Sequence, residues 1–126
     1  MQTKVMQTNV MQVNVTFRHG TEDSLLRARV SRDCHYLRRL HPNMAGVSVV
    51  FSREAQLNRH ESLYSCHIKV SLPGRQDINV YEHRTEEATA FHRAMEQVIY
   101  RLSKLTARRA ESRPVLNNAL QASSLA

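Results

Sequence analysis

Between Thr85 and Ala110, apolar side chains recur at alternating steps of three and four: Ala88, Phe91, Met95, Val98, Leu102 and Leu105. That spacing draws one stripe along an α-helix. Arg93, Arg101, Lys104 and Arg108 fall within about 80° of arc on roughly the opposite side. One face is built for a core and the other presents cations outward. A second stripe, Leu26, Val30, Cys34, Leu37 and Leu40, predicts an earlier helix. Thr21 or Asp23 can cap its start, and Pro42-Asn43 ends it. Arg29, Arg32 and Arg39 line one flank of this helix, and Arg27 and Arg38 the other.

Four segments alternate with a period of two instead. Val13, Val15 and Phe17 alternate with Gln12, Asn14 and Thr16, the mark of a half-buried strand that His19-Gly20 interrupts. Gly46 to Ser52 predicts a second strand, with Val47, Val49 and Phe51 inward. After a polar loop, Arg53 to Ser62, comes the clearest strand. Tyr64, Cys66, Ile68, Val70 and Leu72 face in, while Ser65, His67, Lys69 and Ser71 face out. Pro73-Gly74 marks a turn, and Ile78 to His83 is the returning strand. Thr85-Glu86-Glu87 opens the last helix with acids at its positive dipole end, and Arg108-Arg109 closes it.

The predicted order is β-α-β-β-β-α, an α+β fold. It forms a single domain over 11–110, a four-stranded sheet with both helices packed on one face and the other face polar and wet. Residues 1–10 carry a five-residue repeat (MQTKV, MQTNV) that fits neither a helix nor a strand period. A flexible leader and an extension of the first strand both fit it, and Met11 is an alternative start. Residues 111–126, rich in Ser, Ala and Asn, read as a flexible tail beyond which Pro114 blocks much helix.

Charge sharpens the functional picture. The 126 residues carry 18 Lys+Arg against 11 Asp+Glu, a formal net charge of +7. Such an excess points to a polyanionic partner. Arginine dominates, with lysine only at Lys4, Lys69 and Lys104. The planar guanidinium grips phosphate bidentately and stacks on bases, which favours nucleic acid. Five cations sit on each predicted helix, opposed in the helix bodies only by Asp33 and Glu96. Local pairing therefore leaves the surface basic. With both helices on one sheet face, their outer sides are expected to form one continuous cationic surface. No helix start carries the short polar side chains of base reading, so contacts driven by shape and charge are expected.

Enzyme chemistry finds little purchase. The three glycines, Gly20, Gly46 and Gly74, form no phosphate cradle. No carboxylates pair at obvious strand ends. Seven histidines occur, with His67 and His83 on the open sheet face and His60 near the same strand, but none has zinc-ligand spacing to a cysteine. The expectation is no metal and no cofactor. Cys34 and His35 are adjacent on a helix, so their side chains diverge by about 100° and form no nucleophile-base pair. Cys34 and Cys66 read as small buried hydrophobes. No apolar run reaches the roughly 18 residues of a membrane span, and the N-terminus is too polar for a signal peptide, so the expected compartment is the cytoplasm.

The opening strand MQVNVTFRHG, the helix end Leu37-Arg38-Arg39-Leu40, the segment NRHESLYSCHIKVSLPGRQDINV and the helix FHRAMEQVIYRLSKL together resemble the ribosome hibernation factors, also called ribosome-associated translation inhibitors or sigma-54 modulation proteins. The resemblance spans about 11–110 and rests on order and spacing. It implies a non-enzymatic translation inhibitor of the stress response. Such a protein binds the small ribosomal subunit near the decoding site and occupies the path of mRNA and tRNA. Carried onto this sequence, the expected ribosomal RNA contacts are Arg93, Arg101, Lys104, Arg108 and Arg109, with Arg29, Arg32 and Arg39 secondary. The resemblance is to the short form, a monomer off the ribosome, without the C-terminal domain by which long members pair ribosomes. Thr85-Glu86-Glu87-Ala88 departs from the family's acidic-aromatic lead into the last helix. Two other readings fit parts of the pattern. One is a stand-alone double-stranded-RNA-binding module, which would carry lysines where this last helix begins with acids. The other is a regulatory protein-binding domain.

Overall fold

The computed structural model describes residues 11–18 and 22–111, the side chains of 106–111 excepted. The expectations for 1–10, for Thr21 and for the tail beyond 111 lie outside the described residues. The elements are β1 (Gln12–Arg18), α1 (Ser24–Leu40), β2 (Gly46–Gln56), β3 (Ser62–Ser71), β4 (Ile78–Arg84) and α2 (Glu87–Glu111). This is the α+β order read from the sequence. The strands lie in the order β1-β2-β3-β4. β1 runs parallel to β2, and the remaining pairs are antiparallel.

Local chemistry sets the boundaries. The Asp23 carboxylate accepts from the Leu25 and Leu26 main-chain N–H groups, each at 3.1 Å, satisfying two of the unpaired donors that open α1. Gly74 has φ 71°, and the Arg75 N–H donates to the Leu72 carbonyl at 3.2 Å. That is a tight turn in which Pro73 fixes one dihedral and glycine supplies the left-handed one.

The polar segment expected as a loop from Arg53 to Ser62 is shorter. β2 continues to Gln56 past an irregularity between Arg53 and Ala55, and only 57–61 turn. The Asn58 side chain closes that turn by accepting from the His60 and Glu61 N–H groups at 2.8 and 2.9 Å. Residues 53–56 are exposed. Backbone pairing persists there although no side of the strand is buried.

The core lies between one sheet face and the two helices. Phe51, Val49, Cys66, Ile68 and Val70 meet Val30, Cys34, Leu37, Val98 and Leu102, all at most 1% exposed. Phe51 joins three elements, stacking on Phe17 with centroids 4.9 Å apart and tilting against Phe91 at 6.3 Å. Two residues assigned to apolar stripes are exposed: Leu40, in the last turn of α1, and Ala88, in the first turn of α2. Ala90 and Ala94 are fully buried in their place. Their lack of bulk lets α2 settle close to β3 and β4.

Candidate nucleic-acid interface

The buried alanines turn α2 so that its cations lie beside the sheet contact. With Val98 at the centre of the buried face, Arg101, Lys104 and Arg93 fall on one flank, at about 60° to 140°. The sequence pattern placed them opposite the core; the structure aims them over β4, an edge strand. Arg101 Nη1 donates to the Asn79 carbonyl at 2.9 Å, and Gln97 Nε2 reaches Glu82 Oε2 at 3.4 Å. Lys104 Nζ stands 5.3 Å from the centre of the Tyr100 ring. Arg93 meets Glu96 at 3.3 Å, a carboxylate that His92 also approaches at 3.4 Å. Arg108 and Arg109 lie within α2, but their side chains are outside the described residues.

Two open grooves run between this flank and β4. One, of about 490 Å³, is lined by Arg75, Gln76, Asp77, Ile78, Tyr100, Arg101, Lys104 and Leu105. The other, of about 360 Å³, is lined by Glu82, Arg84, Arg93, Glu96, Gln97 and Tyr100. Tyr100 borders both. Five cations therefore line the two grooves (Arg75, Arg84, Arg93, Arg101 and Lys104) against three carboxylates, and each carboxylate is engaged. Asp77 holds Lys69 at 3.5 Å, and Glu82 holds Arg84 at 3.0 Å. Glu96 is the third, shared by Arg93 and His92. Paired charges cancel, and a cationic surplus remains.

The cations of α1 do not join this row. Arg27 Nη1 donates to the Val15 carbonyl at 2.9 Å, so that flank faces β1, the opposite edge of the sheet. Arg32 and Arg39 point away from the core, about 160° to 180° from Val30. Arg29 and Arg32 share Asp33 at 3.9 and 3.5 Å, and the Arg39 guanidinium lies 5.7 Å from the Tyr36 ring centre. No residue of α1 lines either groove. The single cationic surface expected from the sequence is thus two groups, one along the β4 edge and one on α1.

Acids collect where the two helices begin. α1 and α2 start at the same end of the sheet, where Asp23, Glu86 and Glu87 line a recess of about 500 Å³ with Leu25, Tyr64 and Arg29. Burial, and then the Asp23 charge, raise the Glu87 pKa above its ordinary value. Acids there complement the positive ends of the helix dipoles.

Sequence reading missed Arg75, Arg84 and Tyr100 as members of this edge. Arg75 sat in a turn and Arg84 at a strand end, and only the antiparallel run of β4 and α2 brings both beside Arg93 and Lys104. The signal available for Tyr100 was its position one residue before Arg101 and four before Lys104. On the open sheet face the His67 and Tyr81 rings are stacked, with centroids 4.1 Å apart and planes 4° from parallel. Among the described residues no three metal-ligating side chains converge, and no helix is long and apolar enough to cross a membrane.

No family model matches the chain, and no curated protein matches it by sequence. In three dimensions it is similar to a ribosomal subunit interface protein from Coxiella burnetii. The TM-score is 0.62 at 18% identity, over 77% of this chain and 99% of that one. It is similar too to the N-terminal domain of Protein Y from Thermus thermophilus, with TM-score 0.60 and 19% identity over 77% and 98% of the two chains. Identities this low establish a shared fold.

Proposed function

We propose that this protein is a ribosome-associated translation inhibitor, a hibernation factor of the cytoplasm. It binds ribosomal RNA of the small subunit near the decoding site and blocks mRNA and tRNA there. The observation that carries this reading is the row of Arg93, Arg101 and Lys104 held along the β4 edge with a surplus of positive charge. A rigid cationic flank suits an RNA-walled channel, where many phosphate contacts give strong, salt-dependent affinity. The fold shared with a ribosomal subunit interface protein supports the same partner. The protein does no chemistry of its own and acts by occupying a site. Off the ribosome it is a monomer, a state favoured by the arginine laid over each sheet edge.

A stand-alone double-stranded-RNA module fits less well. Glu87 lies in the first turn of α2, where that class of reader would place cations against phosphate.

Co-sedimentation with ribosomes across a salt series tests the proposal, with an Arg101→Glu/Lys104→Glu variant alongside. The expected result is salt-sensitive binding to the small subunit, abolished in the variant while its circular dichroism is unchanged. Absence of wild-type binding at low salt overturns the reading.

A further inference from the structure

The open face of the sheet carries a feature that phosphate binding by α2 does not use. His67 and Tyr81 stand directly opposite each other in the β3–β4 register, their rings 4.1 Å apart and 4° from parallel. That separation is close to the distance between neighbouring strands, about 4.8 Å. The two rings therefore stand side by side on the sheet, with their normals pointing across the strands. Tyr81 spends one ring face on His67. Its other face turns outward past β4, beyond which the described sheet has no strand, and the residue is 62% exposed. The His67 ring is held in turn, with Nε2 2.9 Å from Asn79 Oδ1. The stack is in place before any ligand arrives, so a third ring added to it costs little ordering.

We infer that the outer ring face of Tyr81 is a stacking site for one base of a single-stranded RNA, whose phosphates lie along the α2 flank of the same strand edge. The inference rests on the RNA reading above and adds a second, base-directed contact to it. Asn79 joins the two halves: its side chain steadies His67, and its carbonyl receives Arg101 at 2.9 Å. A backbone running beside β4 would meet the cationic surplus of α2 on one side and the Tyr81 ring on the other. The occupant must be unpaired, because the bases of a duplex are already stacked on both faces and cannot cap a protein ring. A protein partner fits poorly, since the exposed neighbours of Tyr81 on this face, Lys69, Asn79 and His83, make no apolar patch.

The chain contains no tryptophan, so a Tyr81→Trp variant carries a single indole reporter at the site. We expect its fluorescence to be quenched by an oligouridylate of roughly eight nucleotides and not by a duplex of equal length. Tyr81→Ala should weaken oligouridylate binding roughly tenfold, and Tyr81→Phe should retain it. Ribosome co-sedimentation of the wild-type protein is run in the same buffer. Ribosome binding without quenching overturns the stacking site and leaves the ribosome reading standing. Quenching without ribosome binding supports the stacking site and overturns the ribosome reading. Equal quenching by duplex and single strand overturns the stacking site.

Discussion

Arg101 donates from Nη1 to the main-chain carbonyl of Asn79 at 2.9 Å, tying α2 to the β4 edge of the sheet. Arg27 does the same at the other edge, donating from Nη1 to the Val15 carbonyl of β1 at 2.9 Å. Each edge strand thus has a guanidinium from the helix above it on one of its open acceptors. An exposed edge is a template for pairing with another chain, and a charge laid across it opposes that pairing. The same geometry draws Arg101 into the basic row while leaving its remaining donors available to phosphate.

Arg27 separates the edge role from RNA binding, because it lies on the flank away from α2. Arg27→Ala also removes the 2.6 Å ion pair with Glu22 and the ring contact to Phe17. The side chain is 39% exposed, so the expected loss of stability is modest, about 1 kcal/mol. Sedimentation velocity should show concentration-dependent self-association that the wild type lacks, with ribosome binding little changed. A variant that stays monomeric at all concentrations would show that the arginine is not what protects the edge.

Asp33 restrains two of the α1 arginines at once, Arg29 at 3.9 Å and Arg32 at 3.5 Å. If α1 contributes to the RNA interface, Asp33→Asn should free both guanidiniums and strengthen binding roughly two- to five-fold. The gain should shrink as salt rises. An unchanged affinity in filter binding or co-sedimentation would confine the interface to the β4 side. Loss of Arg93, Arg101 or Lys104 should instead weaken binding and lower the salt slope by about one unit each.

The element order was legible because three signals agreed along most of the chain. Strand alternation ran through Tyr64 to Leu72, helical spacing through Phe91 to Leu102, and turn chemistry stood at Pro73-Gly74. Legibility failed where burial and backbone state part company. Residues 53–56 pair as strand while exposed, so no alternation marks them. Ala90 and Ala94 are fully buried, but the three-and-four spacing through Phe91 took in Ala88, which is exposed, and passed them over. That omission carried into the site. Without the two alanines the α2 stripe is centred away from the cations, which then seem opposite the core when they lie beside it. Arg75 and Arg84 come beside the α2 cations through tertiary placement alone, and no local spacing announces that.

The cysteines offer a test of the core through chemistry. Burial pushes the Cys34 thiol up from 9.0 to about 12, with the neighbouring Asp33 charge adding to the shift. Burial raises Cys66 as well. A thiol that holds its proton is a poor nucleophile. Both should resist iodoacetamide at pH 8 in the folded protein and react in urea, as mass spectrometry will show. The folded thiols bind protons more tightly than the unfolded ones, so their contribution to stability is complete below about pH 9. It is lost as pH rises toward about 12. Denaturant midpoints should fall across that alkaline range, and the fall should flatten in a Cys34→Ala/Cys66→Ala variant.

The close approach of α2 to the sheet depends on the size of Ala94, which is 0% exposed beside Val98 and Phe91. Ala94→Leu adds three carbons to a site with no room for them. The helix must shift outward or its neighbours must leave their preferred rotamers, at an expected cost of about 1–3 kcal/mol. Ala88→Leu makes the same change at an exposed position of the first turn and should stay within about 0.5 kcal/mol of the wild type. Urea unfolding separates the two, with a lower midpoint and unchanged slope for Ala94→Leu only. Because α2 also carries the row over β4, an outward shift should lengthen the Arg101 to Asn79 contact and weaken ribosome binding under conditions where the variant remains folded. A large stability loss with full ribosome affinity would show that the basic flank works without being seated against the sheet edge.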